Sequence, residues 1–191
     1  VNVAIRDRQP GSSFKPFAYA KAFEKGYTPN TILFDLVTDF GGGYIPKNYS
    51  LGASGPVTMR NALACSKNIP AVKTLYLAGI DQTIDLAHEM GITTLNDRDR
   101  YGLSLVLGGG EVKLVDEVAA FGVFANDGVK HEKKVILKVI SSDGKVLENN
   151  ENSEGKRVLD SQIARLINDV LSNNSARAPV FGSRSSLNLG A

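Results

Sequence analysis

The sequence predicts a mostly α-helical globular domain with a single β-hairpin, and three observations support this fold class. Apolar residues recur at helical spacing in residues 12–25 and 161–171. Residues 133–140 instead alternate apolar and polar positions, and Asp143-Gly144 provides a turn into a second strand. A content of 42% apolar and 22% charged residues in 191 is that of an ordinary globular chain.

Glycine, proline and capping residues set the order of the elements. Pro16 is tolerated only in the first turn of the helix at residues 12–25, so Ser12 or Ser13 must lie at the mouth of that helix. Residues 27–56 are too rich in Gly and Pro for long elements, and residues 173–191 are polar and loop-like. Further helices are predicted at residues 59–64 with Thr58 as N-cap, 70–77, 81–90 with Asp81 as N-cap, 112–126 and 161–171, and the second hairpin strand at residues 145–147.

The charge balance argues against a nucleic-acid partner. The chain has 22 Lys and Arg against 20 Asp and Glu, a net charge of +2, and neither sign forms a long block. No window approaches the roughly 18 consecutive apolar residues of a membrane span. Cys65 is the only cysteine, so neither an internal disulfide nor a thiolate metal cluster can form. His88 and His131 lack partners at metal-ligand spacing, so no metal and no cofactor is predicted.

Ser12 and Lys15 form the most informative pair in the sequence, because their spacing places both side chains on one face of a helical first turn. A lysine that reaches the serine oxygen can act as its general base and allow an acyl-enzyme to form. The lysine must be neutral for this role. Burial and nearby cations therefore have to lower its pKa from the usual value of about 10.4.

Ser66 and Asn68 form a second polar element, in a tight corner between two predicted helices. The hydroxyl could relay a proton and the amide could bind a substrate amide; alternatively, both side chains only cap the helices at this corner. Both patterns recur elsewhere: the serine–lysine copies lie in segments without a helix mouth or apolar packing and are interpreted as solvent-exposed, and the serine–asparagine copies lie in or enter the polar tail and are interpreted as having no role in a site. They are Ser142 with Lys145, Ser153 with Lys156, Ser172 with Asn174, and Ser186 with Asn188.

Several segments together resemble the transpeptidase domain of class A penicillin-binding proteins. They are residues 8–17 (RQPGSSFKPF), 55–72 (GPVTMRNALACSKNIPAV), 103–109 (LSLVLGG), 119–128 with the ending FANDG, and 176–182 (ARAPVFG). Ser-x-x-Lys and a Ser-x-Asn-like element are two of the three motifs of this superfamily, which includes class A β-lactamases. The resemblance implies an α/β transpeptidase fold of the β-lactamase-like kind. This chain would be mainly its helical part plus a β-hairpin, with the central sheet strands largely missing.

The resemblance also implies an activity and roles for the site residues. Such a transpeptidase cross-links peptidoglycan stem peptides, with Ser12 attacking the D-Ala-D-Ala carbonyl and Lys15 as general base. Ser66 would take part in proton transfer to the leaving group. Asn68 would hold the amide of the substrate or of a β-lactam antibiotic, which would acylate Ser12. The parent protein would be membrane-anchored in the cell envelope, at the outer face of the cytoplasmic membrane, and would carry a glycosyltransferase domain.

The sequence departs from the family pattern in one respect, because it holds no Lys-Thr-Gly or Lys-Ser-Gly. In the family this third motif supplies part of the oxyanion hole and a cation that binds the substrate carboxylate. Residues 1–191 are therefore predicted to be a truncated transpeptidase domain. Three alternatives stay open: a serine β-lactamase, although no deacylating glutamate can be assigned, a penicillin-recognising sensor, and an inactive structural fragment.

Overall fold

The computed structural model describes residues 2–49, 52–151 and 154–186. Helices dominate these residues, as the sequence predicted. The α-helices are α1 (Lys15–Glu24), α2 (Met59–Ala64), α3 (Asn68–Ala78), α4 (Ile80–Met90), α5 (Leu114–Ala125), α6 (Ser161–Ser172) and α7 (Asn174–Phe181), and short 3₁₀ segments lie at Gly11–Phe14, Arg98–Arg100 and Leu103–Leu107.

The strands in the described part of the chain are short and pair two by two in antiparallel fashion. The pairs are β1 (Asp7–Arg8) with β4 (Val112–Lys113), β2 (Ile32–Asp35) with β3 (Gly55–Thr58), β5 (Val129–Lys130) with β8 (Lys156–Arg157), and β6 (Lys138–Ile140) with β7 (Val146–Asn149). The β6–β7 pair confirms the predicted hairpin, although its first strand begins at Lys138 rather than at Lys133. The β2–β3 pair lies in a segment predicted to be mostly loop, because four-residue strands among many turn residues give no periodic signal.

Helix α1 lies at the centre of the hydrophobic core, which fixes the position of its first residue, Lys15. All of α1 from Lys15 to Ala20 is buried, and the helix packs against α2, α3, α4 and α6. The Phe17 ring also contacts the rings of Phe121 and Phe124 on α5, at centroid distances of 6.0 and 5.8 Å. Phe17 and Phe124 are buried in the core, and Phe121 is half-buried against it.

Three predicted helix starts differ from the structure. Helix α3 begins at Asn68 rather than at Pro70, because a proline in the first turn lacks only an N–H that would have no partner within the helix. Gly79 precedes α4 without a side-chain cap, and Asp81 lies in the first turn instead of at the N-cap. Helix α5 begins two residues later than predicted because strand β4 directly precedes it.

The polar tail that was predicted to be loop-like contains helix α7. The Asn173 side chain accepts a hydrogen bond from the Ala176 N–H at 2.9 Å and so caps this helix, while Ala176 is buried. The prediction was wrong here because one cap and one buried alanine form no amphipathic repeat. Thr58 caps α2 as predicted, through the N–H of Asn61.

Within the described ranges, no helix has both the length and the apolar character that crossing a membrane requires. The same residues contain no group of three or more His, Cys, Asp or Glu side chains that could hold a metal ion. Cys65 is a buried free cysteine. Burial raises the pKa of its thiol, although the nearby charge of Lys67 acts in the opposite direction.

Candidate active site

Ser12 lies in the 3₁₀ turn Gly11–Phe14, directly before α1, so its predicted position at a helix mouth is confirmed. Gly11 in this turn has φ +63°, a conformation that favours glycine. Gly108 packs closely on it: a Cβ atom at Gly108 would lie 2.3 Å from the backbone nitrogen of Gly11. Gly108 therefore allows the two backbone segments to pack closely, and this contact holds the turn that carries Ser12.

The Ser12 side chain is exposed, and its hydroxyl makes no hydrogen bond to any residue that the structure describes. The neighbouring Ser13 hydroxyl instead donates to the carbonyl oxygen of Pro10 at 2.7 Å. The expected contact between the Lys15 amine and the Ser12 oxygen is thus not formed in the described part of the chain. The reason is that acceptors at the α2–α3 corner already engage the amine.

Lys15 is buried, with 1% of its surface exposed, and its amine points to that corner. Nζ donates to the Ser66 carbonyl oxygen at 2.7 Å, to Ser66 Oγ at 3.2 Å and to Asn68 Oδ1 at 2.8 Å, with a longer contact of 3.3 Å to the Lys67 carbonyl oxygen. All four acceptors are uncharged. Burial lowers the pKa of Lys15 from 10.5 to about 8. Burial is the cause of this shift, and the expected contribution of nearby cations is not found among the described residues.

Ser66 occupies a position at the end of α2 that usually belongs to glycine. Its N–H donates to the Leu63 carbonyl and the next N–H, of Lys67, donates to the Ala62 carbonyl, both at 2.9 Å. These two bonds define a Schellman motif, whose left-handed residue is most often glycine. Ser66 has φ +52° in this place. A strained residue whose polar atoms contact Lys15 is typical of a functional site.

Asn68 is the first residue of α3, and its side chain joins two other segments. Its Oδ1 accepts from Lys15 Nζ, and its Nδ2 donates to the carbonyl oxygen of Lys47 at 2.8 Å. Neither the Ser66 hydroxyl nor the Asn68 amide caps a helix in the described residues, since α3 has no side-chain cap at its N-cap position. The interpretation of these two side chains as simple helix caps is therefore wrong.

Two further polar residues contact the corner without having been predicted from the sequence. Asn48 Oδ1 accepts the backbone N–H of Asn68 at 2.9 Å, and the Asp35 carboxylate pairs with Lys67 Nζ at 3.1 Å. Asp35 is fully buried and Asn48 is 5% exposed. Both come from the segment predicted to be mostly loop, where Asp and Asn are common on the surface, so nothing local marks these two as buried.

Where the structure describes both of their residues, the other copies of the two patterns do not form comparable sites. Ser142 and Lys145 are exposed at the hairpin turn, as predicted, and Ser172 is exposed at the end of α6. The Ser153 and Asn188 positions lie outside the described residues. The roles of Ser12, Lys15, Ser66 and Asn68 therefore remain the best-supported prediction, and three of these four side chains are in direct contact.

A serine at a helix mouth, a buried lysine one turn later and a Ser-x-Asn corner around its amine define a class of protein: the penicillin-recognising serine acyltransferases. Residues 2–180 match the transpeptidase family described as penicillin binding protein transpeptidase domain, and the chain belongs to this family. The predicted fold class and the resemblance to class A penicillin-binding proteins are thereby confirmed.

Three curated relatives illustrate the similarity. Penicillin-binding protein 2D of Bacillus subtilis is 39% identical over 163 residues, which cover 82% of this chain and 23% of that protein. Penicillin-binding protein 1F of the same organism is 36% identical over 182 residues, covering 91% and 25%. Penicillin-binding protein 1A of Pseudomonas aeruginosa is 36% identical over 145 residues, covering 73% and 17%. The chain thus spans about a quarter or less of the length of these relatives.

Solved structures share the fold. The crystal structure of penicillin-binding protein 1A from Haemophilus influenzae superposes with a TM-score of 0.78 at 29% identity, covering 92% of this chain and 31% of that one. The structure of PonA1 from Mycobacterium tuberculosis in complex with penicillin V gives a TM-score of 0.82, covering 96% and 50%. At 23% identity the second comparison supports the fold alone.

Proposed function

We propose that this chain forms the acylation site of a serine D,D-transpeptidase that cross-links peptidoglycan stem peptides. The observation that carries the proposal is the buried amine of Lys15, which lies against Ser66 and Asn68 one turn after the exposed Ser12. A neutral amine there can accept the proton of Ser12, the step that makes a serine nucleophilic. With a pKa of about 8, roughly a tenth of this lysine is neutral at pH 7.

Acylation begins when Ser12 Oγ bonds to the carbonyl carbon of the D-Ala-D-Ala peptide bond while its proton passes to Lys15 Nζ. The tetrahedral intermediate then collapses and the carbon–nitrogen bond breaks. The departing nitrogen takes up a proton, so that D-alanine leaves as an amine. Ser66 Oγ, 3.2 Å from Lys15 Nζ, is the group that would relay this proton from the lysine to the leaving group.

The Asn68 side chain has hydrogen-bonding capacity left for the substrate. Its oxygen accepts from Lys15 and its nitrogen donates to the Lys47 carbonyl, while a carboxamide can accept two hydrogen bonds and donate two. One donor and one acceptor position therefore stay available to a peptide amide. In the second half-reaction, an amine of a neighbouring stem attacks the acyl carbon, Ser12 recovers its proton, and a new peptide bond forms.

β-Lactam antibiotics would acylate the same hydroxyl. Attack by Ser12 opens the ring by breaking its carbon–nitrogen bond, but the amine that leaves remains tethered to the acyl group and hinders its replacement.

The whole protein would act on peptidoglycan at the outer face of the cytoplasmic membrane, with a membrane anchor and a glycosyltransferase domain beyond these residues. A net charge of +2 is too small an excess of positive charge to indicate nucleic-acid binding.

Labelling with a fluorescent penicillin, followed by mass spectrometry of the digested protein, tests this proposal. The wild-type chain and Ser13→Ala are expected to carry the adduct on the peptide that contains Ser12, whereas Ser12→Ala is expected to carry none. Ser13→Ala is the matched control because the Ser13 hydroxyl lies next in sequence and donates to the Pro10 carbonyl oxygen at 2.7 Å. An adduct retained in Ser12→Ala, or found elsewhere in the wild type, would refute the assignment.

The missing Lys-Thr-Gly predicts a difference in rate between two forms of the protein. We propose that residues 1–191 are part of a transpeptidase domain that the third motif completes, so a form extended through that motif is expected to label much faster. If neither form is labelled, the chain is a structural module. Rapid hydrolysis of the adduct would instead indicate a β-lactamase, and a permanent adduct without peptide transfer would indicate a sensor.

A further inference from the structure

The Asp35 carboxylate is fully buried at the end of β2, and the proposed reaction gives it no role. It accepts hydrogen bonds from Asn48 Nδ2 at 2.8 Å, from Lys67 Nζ at 3.1 Å and from the Ser54 N–H at 3.1 Å. Burial by itself raises the pKa of this carboxyl, but these hydrogen bonds and the charge of Lys67 together lower the pKa below its usual value. Asp35 is therefore an anion at neutral pH.

Asp35 dictates the orientation of the Asn48 amide. An ionised carboxylate only accepts hydrogen bonds, so the amide nitrogen of Asn48 has to face it; the same nitrogen also donates to the Gly52 carbonyl at 2.9 Å. The amide oxygen then faces α3, where it accepts the N–H groups of Asn68 at 2.9 Å and of Ile69 at 3.3 Å. These N–H groups have no partner within the helix. Through Asn48, Asp35 therefore fixes the start of the helix that carries Asn68.

Asp35 also holds Lys67, the middle residue of the Ser-x-Asn element. Lys67 Nζ bonds to Asp35 and to Ser54 Oγ, and the lysine side chain is 17% exposed. The residues on either side, Ser66 and Asn68, are the two whose side chains contact the buried amine of α1. The ion pair between Asp35 and Lys67 therefore holds the Ser66–Asn68 corner through its middle residue.

We propose that Asp35 is a positioning residue that keeps the Ser66–Asn68 corner in the geometry that encloses the Lys15 amine. It acts through Asn48 on one side and Lys67 on the other, and it makes no hydrogen bond to Lys15 itself in the described part of the chain. The effect of Asp35 on acylation rests on the proposed function, whereas its effect on the geometry of the Ser66–Asn68 corner does not. Loosening the corner would let water reach the amine, which would make the neutral lysine rarer.

Asp35→Asn tests the proposal because it keeps the size of the side chain but removes the charge and offers a donor where only acceptors belong. Two measurements are made: hydrogen exchange at the backbone amides of Asn68 and Ile69, and the rate of acylation by a labelled penicillin per folded molecule across pH. Exchange at both amides is expected to rise at least about tenfold. Acylation is expected to slow at least about tenfold, and the midpoint of its pH dependence to move upward.

Asp116→Asn is the matched control. Asp116 is also a buried aspartate, 2% exposed, that pairs with a lysine, Lys133, and accepts the N–H of Thr93. It lies on α5, away from the Ser66–Asn68 corner. Both variants are expected to lose stability, but Asp116→Asn is expected to keep the wild-type exchange rate at Asn68, the wild-type acylation rate and the wild-type pH midpoint.

Wild-type exchange at Asn68 and Ile69, together with wild-type acylation, in a folded Asp35→Asn protein would overturn the proposal. If that variant does not fold, Asn48→Ala removes only the amide connection and is expected to produce the same two local effects; their absence would also overturn it. If the wild type is not acylated at all, the proposed function fails. The exchange measurements still decide whether Asp35 positions the corner.

Discussion

Ser66 turns both its carbonyl oxygen and its hydroxyl toward the amine of Lys15, at 2.7 and 3.2 Å, from a backbone conformation that favours glycine. Glycine would relieve the strain but would provide no hydroxyl. A serine therefore makes this corner less stable than it could be and supplies a proton-carrying group beside a buried base. Such an exchange of stability for chemistry is common at active sites.

Replacing Ser66 by glycine and by alanine separates these two effects. Both variants lose the hydroxyl, so both are expected to be acylated about 100-fold more slowly than the wild type. Ser66→Gly relieves the left-handed strain, about 1–2 kcal/mol, at an entropic cost of about 0.5–1 kcal/mol, so it is expected to be about 0.5–1 kcal/mol more stable than Ser66→Ala. Thermal unfolding measures the difference. If Ser66→Gly were instead the less stable variant by about 0.5–1 kcal/mol, the entropic cost alone, the φ of +52° would carry no strain.

The pKa of Lys15 predicts the pH dependence of acylation. The second-order acylation rate of this chain is expected to rise about tenfold per pH unit below a midpoint near pH 8 and to level off above it, because only the neutral amine accepts the Ser12 proton. Lys15→Arg keeps the charge but cannot provide a neutral base, so its rate should be very low at every pH. Lys21→Arg, on the same helix, serves as the control. A profile with no inflection between pH 6 and 10 would contradict the base role.

Lys15 also makes the stability of the folded chain depend on pH. The pKa of Lys15 is about 8 in the folded chain and 10.5 by reference, so between these values the unfolded chain binds a proton that the folded chain does not. This group therefore makes the free energy of unfolding increase as pH rises from 8 to 10.5, by about 1.4 kcal/mol per unit. Lys15→Met removes this dependence. Chemical denaturation at a series of pH values measures the slope in both proteins.

Gly108→Ala is expected to displace the turn that carries Ser12. The added Cβ would lie 2.3 Å from the Gly11 nitrogen, and the residue has φ +92°. Gly144→Ala is the matched control, because Gly144 has φ +87° in the hairpin turn and no atom within 4 Å of the added Cβ. The control should lose about 1 kcal/mol and keep its acylation rate. Gly108→Ala should lose about 3 kcal/mol and most acylation; equal losses in both would show that the close contact is unimportant.

Local chemistry in the sequence was sufficient to place Ser12 and Lys15. Their relation lies within one helical turn, and Pro16 and the preceding Pro10-Gly11 restrict where that turn can begin. The helices with strong caps or amphipathic repeats, such as α2 with Thr58, were predictable for the same reason.

Relations between distant segments were not predictable from spacing. Lys15 and Ser66 are 51 residues apart, and only the family resemblance suggested that they meet. The hydrogen bonds of the Lys15 amine to Ser66 and Asn68 depend on how α1 packs against the α2–α3 corner. Asp35 and Asn48 look like ordinary turn residues until β2–β3 pairing and α3 bury them. Packing rather than sequence pattern decides which polar residues lie inside.

Glu117 tests what it costs to bury a carboxylate when one of its oxygens lacks a hydrogen-bond partner among the described residues. It is 8% exposed, and its Oε1 is buried and has no hydrogen-bond partner in the described residues. Burial raises the pKa of its carboxyl, and the nearby Ser13 hydroxyl only partly offsets this. Because the folded-state pKa lies above the unfolded value of 4.5, the contribution of Glu117 to stability is fully present below pH 4.5 and is lost as pH rises through the folded pKa.

Glu117→Gln is therefore expected to stabilise the protein at pH 7 by about 1 kcal/mol, a rise in melting temperature of about 2–4 °C, since no charge has to be buried. At pH 4 the carboxyl is protonated and the advantage should disappear. Glu154→Gln, at an exposed position, is the control and should match the wild type at both pH values. An equal gain at pH 4 and pH 7 would mean that the charge of Glu117 has no part in the effect.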